Sequence, residues 1–126
     1  MTRVLVISDV HANITALEAV LADAGNVDEV WCLGDIAGYG PDPNECIERI
    51  HALPGLTCMM GNHDYAAIGN MALDTFNVDA KRALLWQRDR LSEESRVFLR
   101  TLLQEPSVSG SVTRVHGSRA TRFGNM

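Results

Sequence analysis

The feature that most constrains the fold is a short apolar run that occurs three times, as VLVI, VWCL and TCMM. Such runs are typical of strands that are covered on both faces of a parallel sheet. Helical periodicity follows the first two runs, around residues 14–24 and 43–53, and two more helices are predicted at residues 77–91 and 93–103. This alternation predicts an α/β fold with a largely parallel sheet and flanking helices.

Local signals place several of the helix ends. Gly25 is a natural stop for the first helix, because glycine adopts the backbone conformation that ends helices. Asp42, Asn77 and Ser92 are predicted N-caps, since their side chains can accept hydrogen bonds from the first turn of a helix. The run SVSGSVTRVHG predicts one or two further strands near the end of the sequence.

Polar side chains follow every predicted strand, and in a parallel sheet the carboxyl ends of the strands lie along one ligand-binding edge. The four groups, in chain order, are Asp9 with His11, Asp35, Asn62 with His63 and Asp64, and His116. Each group alone reads more simply as a turn or a cap, but four of them at equivalent positions favour one shared site. Carboxylate, imidazole and amide donors suit Mn²⁺, Fe²⁺ or Zn²⁺, and the two oxygens of Asp35 can bridge two ions.

Composition limits the partners and the location. The chain has 126 residues, the size of one domain, and its net charge of -5 argues against nucleic acid as the main partner. Cys32, Cys46 and Cys58 form no C-x-x-C pair and read as buried thiols in a reducing compartment. The residues before Ser8 are too few for a signal peptide or a membrane span, so we predict a cytoplasmic protein without a membrane partner.

Four motifs in order, SDVHAN, LGD, GNHD and VHGS, resemble those of the calcineurin-like metallophosphoesterase family. The run SDVHANITALEAVL with GDIAGYGPDPNEC is similar to a bacterial branch of small phosphoesterases. The resemblance implies the N-terminal portion of a four-layer α/β/β/α sandwich. It also implies a closing G-H-x-H motif that this sequence does not contain, so residues 1–126 are expected to be a single domain that is C-terminally incomplete relative to the family.

The resemblance also implies roles for individual residues. Asp9 and His11 would bind the first of two divalent ions, and Asp35 would bridge both. Asn62 and His116 would bind the second ion. His63 would be the catalytic histidine that contacts the phosphoryl group or protonates the leaving oxygen, and Asp64 would orient the His63 ring. The cofactors expected are therefore two divalent cations, Mn²⁺, Fe²⁺ or Zn²⁺.

The implied activity is hydrolysis of a phosphate monoester or diester, in a small phosphorylated substrate, by a hydroxide that bridges the two metals. The alternative is a catalytically impaired metal-binding remnant or an interaction module. A nucleotide-binding α/β domain is a third interpretation, but no G-x-G-x-x-G or Walker sequence follows a predicted strand. Because strands apolar on both faces need a cover on each side, a homo-oligomer that covers an exposed sheet face is also expected.

Overall fold

A computed structural model describes residues 1–69 and 71–117 of the chain. Strands and helices alternate through most of this part, which confirms the predicted α/β class with a parallel sheet. The elements are β1 Val4–Ile7, α1 Ile14–Ala24, β2 Glu29–Cys32, α2 Pro43–His51, β3 Leu56–Cys58, α3 Asn62–Ala67, α4 Val78–Arg90, α5 Glu93–Arg100, β4 Ser107–Ser109 and β5 Val112–Arg114.

The main sheet has three parallel strands in the order β1-β2-β3. On one face, Cys32 and Cys58 are register partners and lie in the hydrophobic core. On the other face, Val6 pairs in register with Trp31, and Val6 is 52% exposed. The Arg114 guanidinium lies 4.7 Å from the centroid of the Trp31 ring. One face therefore packs against the hydrophobic core, whereas the hairpin that carries Arg114 covers only part of the other.

The helices share the core with the buried face of the sheet. Leu17 of α1, Ile47 of α2, Leu84 of α4 and Leu99 of α5 are all almost fully buried in one hydrophobic cluster. Because α4 and α5 belong to this cluster, they do not cover the second face of the sheet. None of the helices in the described part of the chain is long and apolar enough to cross a membrane.

The two edges of the sheet differ. The segment around Leu103 covers the β3 edge, where the Leu103 N–H donates to the Cys58 carbonyl oxygen at 3.1 Å and the Met60 N–H donates to Leu103 at 2.7 Å. The outer edge of β1 has no strand partner among residues 1–69 and 71–117. The run SVSGSVTRVHG, predicted to form one or two strands, forms two, and they make the separate antiparallel hairpin β4–β5.

Most predicted helix ends are confirmed. Gly25 ends α1 at φ 67°, and Asn77 and Ser92 cap α4 and α5 through side-chain oxygens that accept N–H hydrogen bonds. Asp42 occupies the N-cap position of α2 but makes no capping hydrogen bond there, and its carboxylate accepts instead from the N–H of Ile14 at 3.4 Å. The sequence did not predict the short helix α3, which begins at Asn62 of the GNHD motif.

Candidate active site

The loops that follow β1 and β2 run side by side and are joined by backbone hydrogen bonds. The N–H of Asp9 donates to the carbonyl of Gly34, and the N–H of His11 donates to the carbonyl of Asp35, both at 2.9 Å. Asp9, His11 and Asp35 all have positive φ values, of 57°, 48° and 60°, which are uncommon for residues other than glycine. This strained backbone brings three of the predicted ligands together at the carboxyl edge of the sheet.

Asp35 lies at the centre of the site and is 3% exposed. Its Oδ2 atom lies 3.3 Å from Nε2 of His116 and 3.9 Å from Nε2 of His11. Its Oδ1 atom accepts a hydrogen bond from the N–H of His63 at 2.9 Å, in the first turn of α3. The two carboxylate oxygens therefore differ: one is held by the protein, and the other faces two imidazoles.

Both of those imidazoles are oriented by backbone carbonyls. Nδ1 of His11 lies 2.9 Å from the Ala37 oxygen, and Nδ1 of His116 lies 2.7 Å from the Leu33 oxygen. A carbonyl only accepts hydrogen bonds, so each Nδ1 carries the proton. The lone pair of a neutral ring is then on Nε2, the atom that points at Asp35, which is the arrangement expected of metal-binding histidines.

The donor atoms form two groups around Oδ2 of Asp35. Nε2 of His11 lies 3.4 Å from Oδ1 of Asp9, and Nε2 of His116 lies 3.2 Å from Oδ1 of Asn62. Ligands held at about 2.1 Å from one ion are roughly 3–3.5 Å apart, so these spacings fit divalent cations. The structure thus brings together all five residues predicted to bind metal.

Electrostatics couple Asp35 to His116. Burial tends to raise the pKa of Asp35, but the hydrogen bond and the charge of His116 outweigh it and hold that pKa below its usual value. Burial likewise tends to lower the pKa of His116, yet the hydrogen bond and the charge of Asp35 raise it to about 9. The two side chains therefore stabilise each other as an ion pair.

His63 lies next to these donors. Its ring centroid is 4.7 Å from that of His11, and donor atoms of His11, Asp35 and His63 all lie within 4.8 Å of one another. Burial lowers the pKa of His63, so the ring is neutral at pH 7. Its Nδ1 atom is buried without a hydrogen-bond partner in residues 1–69 and 71–117.

Asp64 does not make the contact predicted for it. Its Oδ2 accepts from the N–H groups of Asp35 at 2.8 Å and Gly61 at 3.0 Å, and its Oδ1 accepts from the N–H of Ala37 at 2.9 Å. Both oxygens are therefore occupied by the backbone, and no hydrogen bond joins Asp64 to the His63 ring. Asp64 instead fixes the loop that carries Asp35. Burial and the Asp35 charge raise the pKa of Asp64 to about 6.

Glycines in the motifs make room for these side chains. A Cβ atom on Gly61 would overlap the backbone nitrogen and the carboxylate of Asp35. A Cβ on Gly38 would overlap Nδ1 of His63 and lie 2.9 Å from its Cγ. Any side chain at either position would therefore displace a residue of the site.

Sequence reasoning missed three residues around His63. The ring centroids of Tyr39 and Phe76 lie 5.2 Å and 5.0 Å from the His63 centroid. Gln87 is fully buried and hydrogen-bonds the loop that carries Tyr39. The Gly-Tyr-Gly sequence at residues 38–40 was a possible signal for Tyr39, since it places one aromatic side chain between two flexible residues directly after a ligand loop.

The sequence profile of the calcineurin-like phosphoesterases matches residues 2–124. The chain belongs to this family. Calcineurin-like phosphoesterases are metal-dependent, and the convergence of His11, Asp35 and His63 agrees with that. A metallophosphoesterase from Sphaerobacter thermophilus has a similar structure, with 48% identity and a TM-score of 0.83 over 97% of this chain and 49% of that one.

Two other relatives show the range of the calcineurin-like phosphoesterases around this chain. An uncharacterised protein of Methanocaldococcus jannaschii is 46% identical over 103 residues, which are 80% of this chain and 42% of that protein. A class 3 fructose-1,6-bisphosphatase from Lactococcus lactis subsp. cremoris is 32% identical over 118 residues, which are 84% of this chain and 18% of that enzyme. The chain thus spans half or less of the length of these three proteins.

Proposed function

We propose that the chain hydrolyses a phosphate monoester or diester with two divalent cations bound at the carboxyl edge of the sheet. Mn²⁺, Fe²⁺ and Zn²⁺ suit the mixture of carboxylate, imidazole and amide donors. The proposal assigns Asp9 and His11 to one cation, Asn62 and His116 to the other, Asp35 to both, and His63 to the phosphoryl group or the leaving oxygen.

One observation carries the proposal: a single oxygen, Oδ2 of Asp35, faces Nε2 of His11 at 3.9 Å and Nε2 of His116 at 3.3 Å. The two histidines lie more than 100 residues apart in the sequence. Each ring is oriented by its own backbone carbonyl. A negative oxygen shared by two such nitrogens is suited to stabilise two neighbouring cations at once.

The chemistry follows from what the residues hold in place. When bound, the cations supply the activation of water and the positive charge that a chain with a net charge of -5 lacks for an anionic substrate. Asp35 and its backbone partners fix the position of that charge before the substrate arrives, so little reorganisation is needed during the reaction.

His63 is suited to donate a hydrogen bond to the phosphoryl group. It is neutral at pH 7 because burial lowers its pKa. Its Nδ1 atom lies against Gly38, at a distance that leaves no room for a partner side chain. We therefore assign the N–H of the neutral ring to Nε2, from which it would donate a hydrogen bond to the phosphoryl group.

The direct test is hydrolysis of p-nitrophenyl phosphate and bis(p-nitrophenyl) phosphate by the purified chain, with added Mn²⁺ and then with a chelator. We expect hydrolysis that needs metal and that is lost in Asp35→Asn. Asp23→Asn is the matched control, because Asp23 is an exposed residue of α1. Metal binding by calorimetry, measured on the same samples, separates a catalyst from a metal-binding remnant: bound metal without any turnover would support the remnant instead.

We also propose that the protein is located in the cytoplasm. Cys32, Cys46 and Cys58 are all buried free thiols, although Cys32 and Cys58 are register partners on adjacent strands. Free thiols that close to each other are typical of proteins kept in a reducing environment, which supports the cytoplasm.

A further inference from the structure

A cleft beside the candidate active site takes no part in the chemistry proposed above. It has a volume of about 380 Å³, within the range of about 300–1,000 Å³ that is usual for small-molecule sites. It is lined by Tyr39, Gly40, Pro41, Arg82, Ala83 and Trp86. Two of these side chains are exposed aromatics, Tyr39 at 47% and Trp86 at 40%. The cleft is shallow and open to solvent, so both aromatic faces are available to a ligand.

Tyr39 connects the cleft to the metal site. Its ring centroid lies 5.1 Å from that of His11 and 5.2 Å from that of His63. Its φ of 55° is unusual for a residue other than glycine, and its hydroxyl accepts a hydrogen bond from Nδ2 of Asn77 at 3.0 Å. Asn77 holds its hydroxyl and Gln87 holds the neighbouring residues Gly38 and Gly40, so the ring is a fixed surface between the two sites.

The walls of the cleft are tied to each other. Nε2 of the buried Gln87 donates to the carbonyl of Gly40 at 2.7 Å, and its Oε1 accepts from the N–H of Gly38 at 2.8 Å. Gln87 belongs to α4, the helix that also carries Arg82 and Trp86. The loop and the helix are thus cross-linked, so a ligand does not have to bring them together.

The side chains from α4 define the ligand chemistry. The Arg90 guanidinium lies 4.0 Å from the centroid of the Trp86 ring and helps to hold the indole in place. Arg82 forms no ion pair within the described part of the chain, so its charge is available to the cleft. Aromatic faces combined with a guanidinium favour a flat ring that carries hydrogen-bond acceptors.

We propose that this cleft binds the nucleobase of a nucleotide whose phosphate lies at the proposed cation site around Asp35. The position of the phosphate rests on the proposed function, whereas the binding of the base rests on the cleft itself. Tyr39 lies between the two, so a single molecule bound across it places its base against Trp86 and Arg82.

The test is a ¹⁵N NMR titration of the full chain with adenosine 5′-monophosphate, using chelator-treated protein so that no hydrolysis occurs. Ribose 5-phosphate is the matched ligand without a base. The two tryptophans give separate indole N–H signals, and Trp31 is the internal reference because it lies on the far face of the sheet beneath Arg114. We expect the nucleotide to shift the Trp86 signal and to bind at least about 5-fold tighter than ribose 5-phosphate.

Trp86→Ala should remove that preference for the nucleotide. Leu85→Ala is the control, because Leu85 is 48% exposed on the same helix and does not line the cleft. Equal binding of the two ligands, or a Trp86 signal that does not move, overturns the inference. If the protein still hydrolyses p-nitrophenyl phosphate when the cleft shows no preference for the nucleotide, the nucleobase site is wrong and the proposed function is unaffected. Selective nucleotide binding without any metal-dependent hydrolysis instead supports the cleft and contradicts the proposed function.

Discussion

Asp64 accepts a hydrogen bond from the backbone N–H of Asp35 at 2.8 Å, so one buried acid positions another. The same carboxylate takes two further N–H donors, from Ala37 and Gly61, and is fully buried. Asp64 therefore determines where the loop after β2 lies, and with it the oxygen that faces His11 and His116. Removing its charge should affect both the stability of the fold and the affinity for metal.

Asp64→Asn should lower the free energy of unfolding by about 2–3 kcal/mol. The reason is that an NH₂ group replaces one carboxylate oxygen and then faces backbone N–H groups, which are also donors. Metal affinity should fall as well, since the Asp35 loop is no longer held. Urea denaturation with chelator and calorimetric titration with Mn²⁺ measure the two effects, with Asp23→Asn as the exposed control. A variant with the parent's denaturation midpoint would show that Asp64 is not needed for the loop.

Metal should bind weakly and be removed easily by a chelator. The described donors provide few neutral ligands for each cation, and water must fill the remaining positions. Asp35→Asn should weaken binding more than Asp9→Asn, because the Asp35 carboxylate faces both histidines whereas the Asp9 side chain is 56% exposed. Calorimetry on the two variants compares them. Two tightly held ions per purified chain would contradict weak binding. Equal losses of metal affinity in Asp35→Asn and Asp9→Asn would contradict the central role of Asp35.

His63→Ala should lower the rate of phosphate ester hydrolysis while metal content changes little. The reason is that His63 is assigned to the phosphoryl group and not to a cation. His51→Ala is the matched control, because His51 is exposed and its ring packs on Phe98 with the centroids 4.6 Å apart. A variant that loses metal together with activity would show that His63 is a metal ligand. Its closeness to His11 and Asp35 is compatible with that role.

The metal-free protein should become less stable as the pH rises from 6.5 to about 9. The pKa of His116 is raised to about 9 in the folded state, from an ordinary value of 6.5. The stabilisation that the protonated ring gives the fold is therefore fully present below pH 6.5, and it is lost as the pH rises to about 9. The expected loss is of the order of 2–3 kcal/mol. Urea midpoints across this range, measured with chelator, give the slope. His116→Gln should flatten it, and a parent protein with no slope would mean that the pair with Asp35 contributes no stability.

The chain on its own should self-associate through the partly uncovered face and edge of β1. Val6 is 52% exposed there, and the edge has no strand partner in the described residues. Light scattering should show dimers or larger species, and Val6→Lys should reduce them, since a charge opposes strand pairing. Val108→Lys on the hairpin is the control, because Val108 is 67% exposed. A stable parent monomer that binds no hydrophobic dye would rule this out.

Features that depend on near neighbours in sequence could be predicted. Gly25, Asn77 and Ser92 mark helix ends because the capping contact lies within four residues, and the structure confirms all three. The meeting of Asp35 with His116 was predicted from strand ends of one parallel sheet, but the structure brings His116 there from the separate hairpin β4–β5, where its ring contacts the Leu33 carbonyl. The topology of the last strand was not predictable, because a three-residue strand carries no signal for its partner.

Features that depend on distant contacts could not be predicted. Asp64 follows His63 directly, which favoured contact between them, but the carboxylate points to N–H groups of residues 35 and 37 that only the fold brings near. The helix α3 has six residues, too few for a periodic pattern. Gln87 gave no signal because a buried amide in a polar helix looks like a surface residue until its partners are known.

The outer edge of β1, which has no strand partner among residues 1–69 and 71–117, has a consequence for regulation. β1 ends at Ile7, and Asp9 follows two residues later, so a strand that pairs with this edge lies next to a proposed metal ligand. A cation bound by Asp9 and a partner strand paired with β1 would then both order the same short segment, the end of β1 and the residues that follow it. A partner strand that changes the affinity for metal by some factor must, by thermodynamic linkage, have its own affinity changed by the metal by the same factor. If that factor differs from one, the degree of assembly responds to the concentration of free divalent cations.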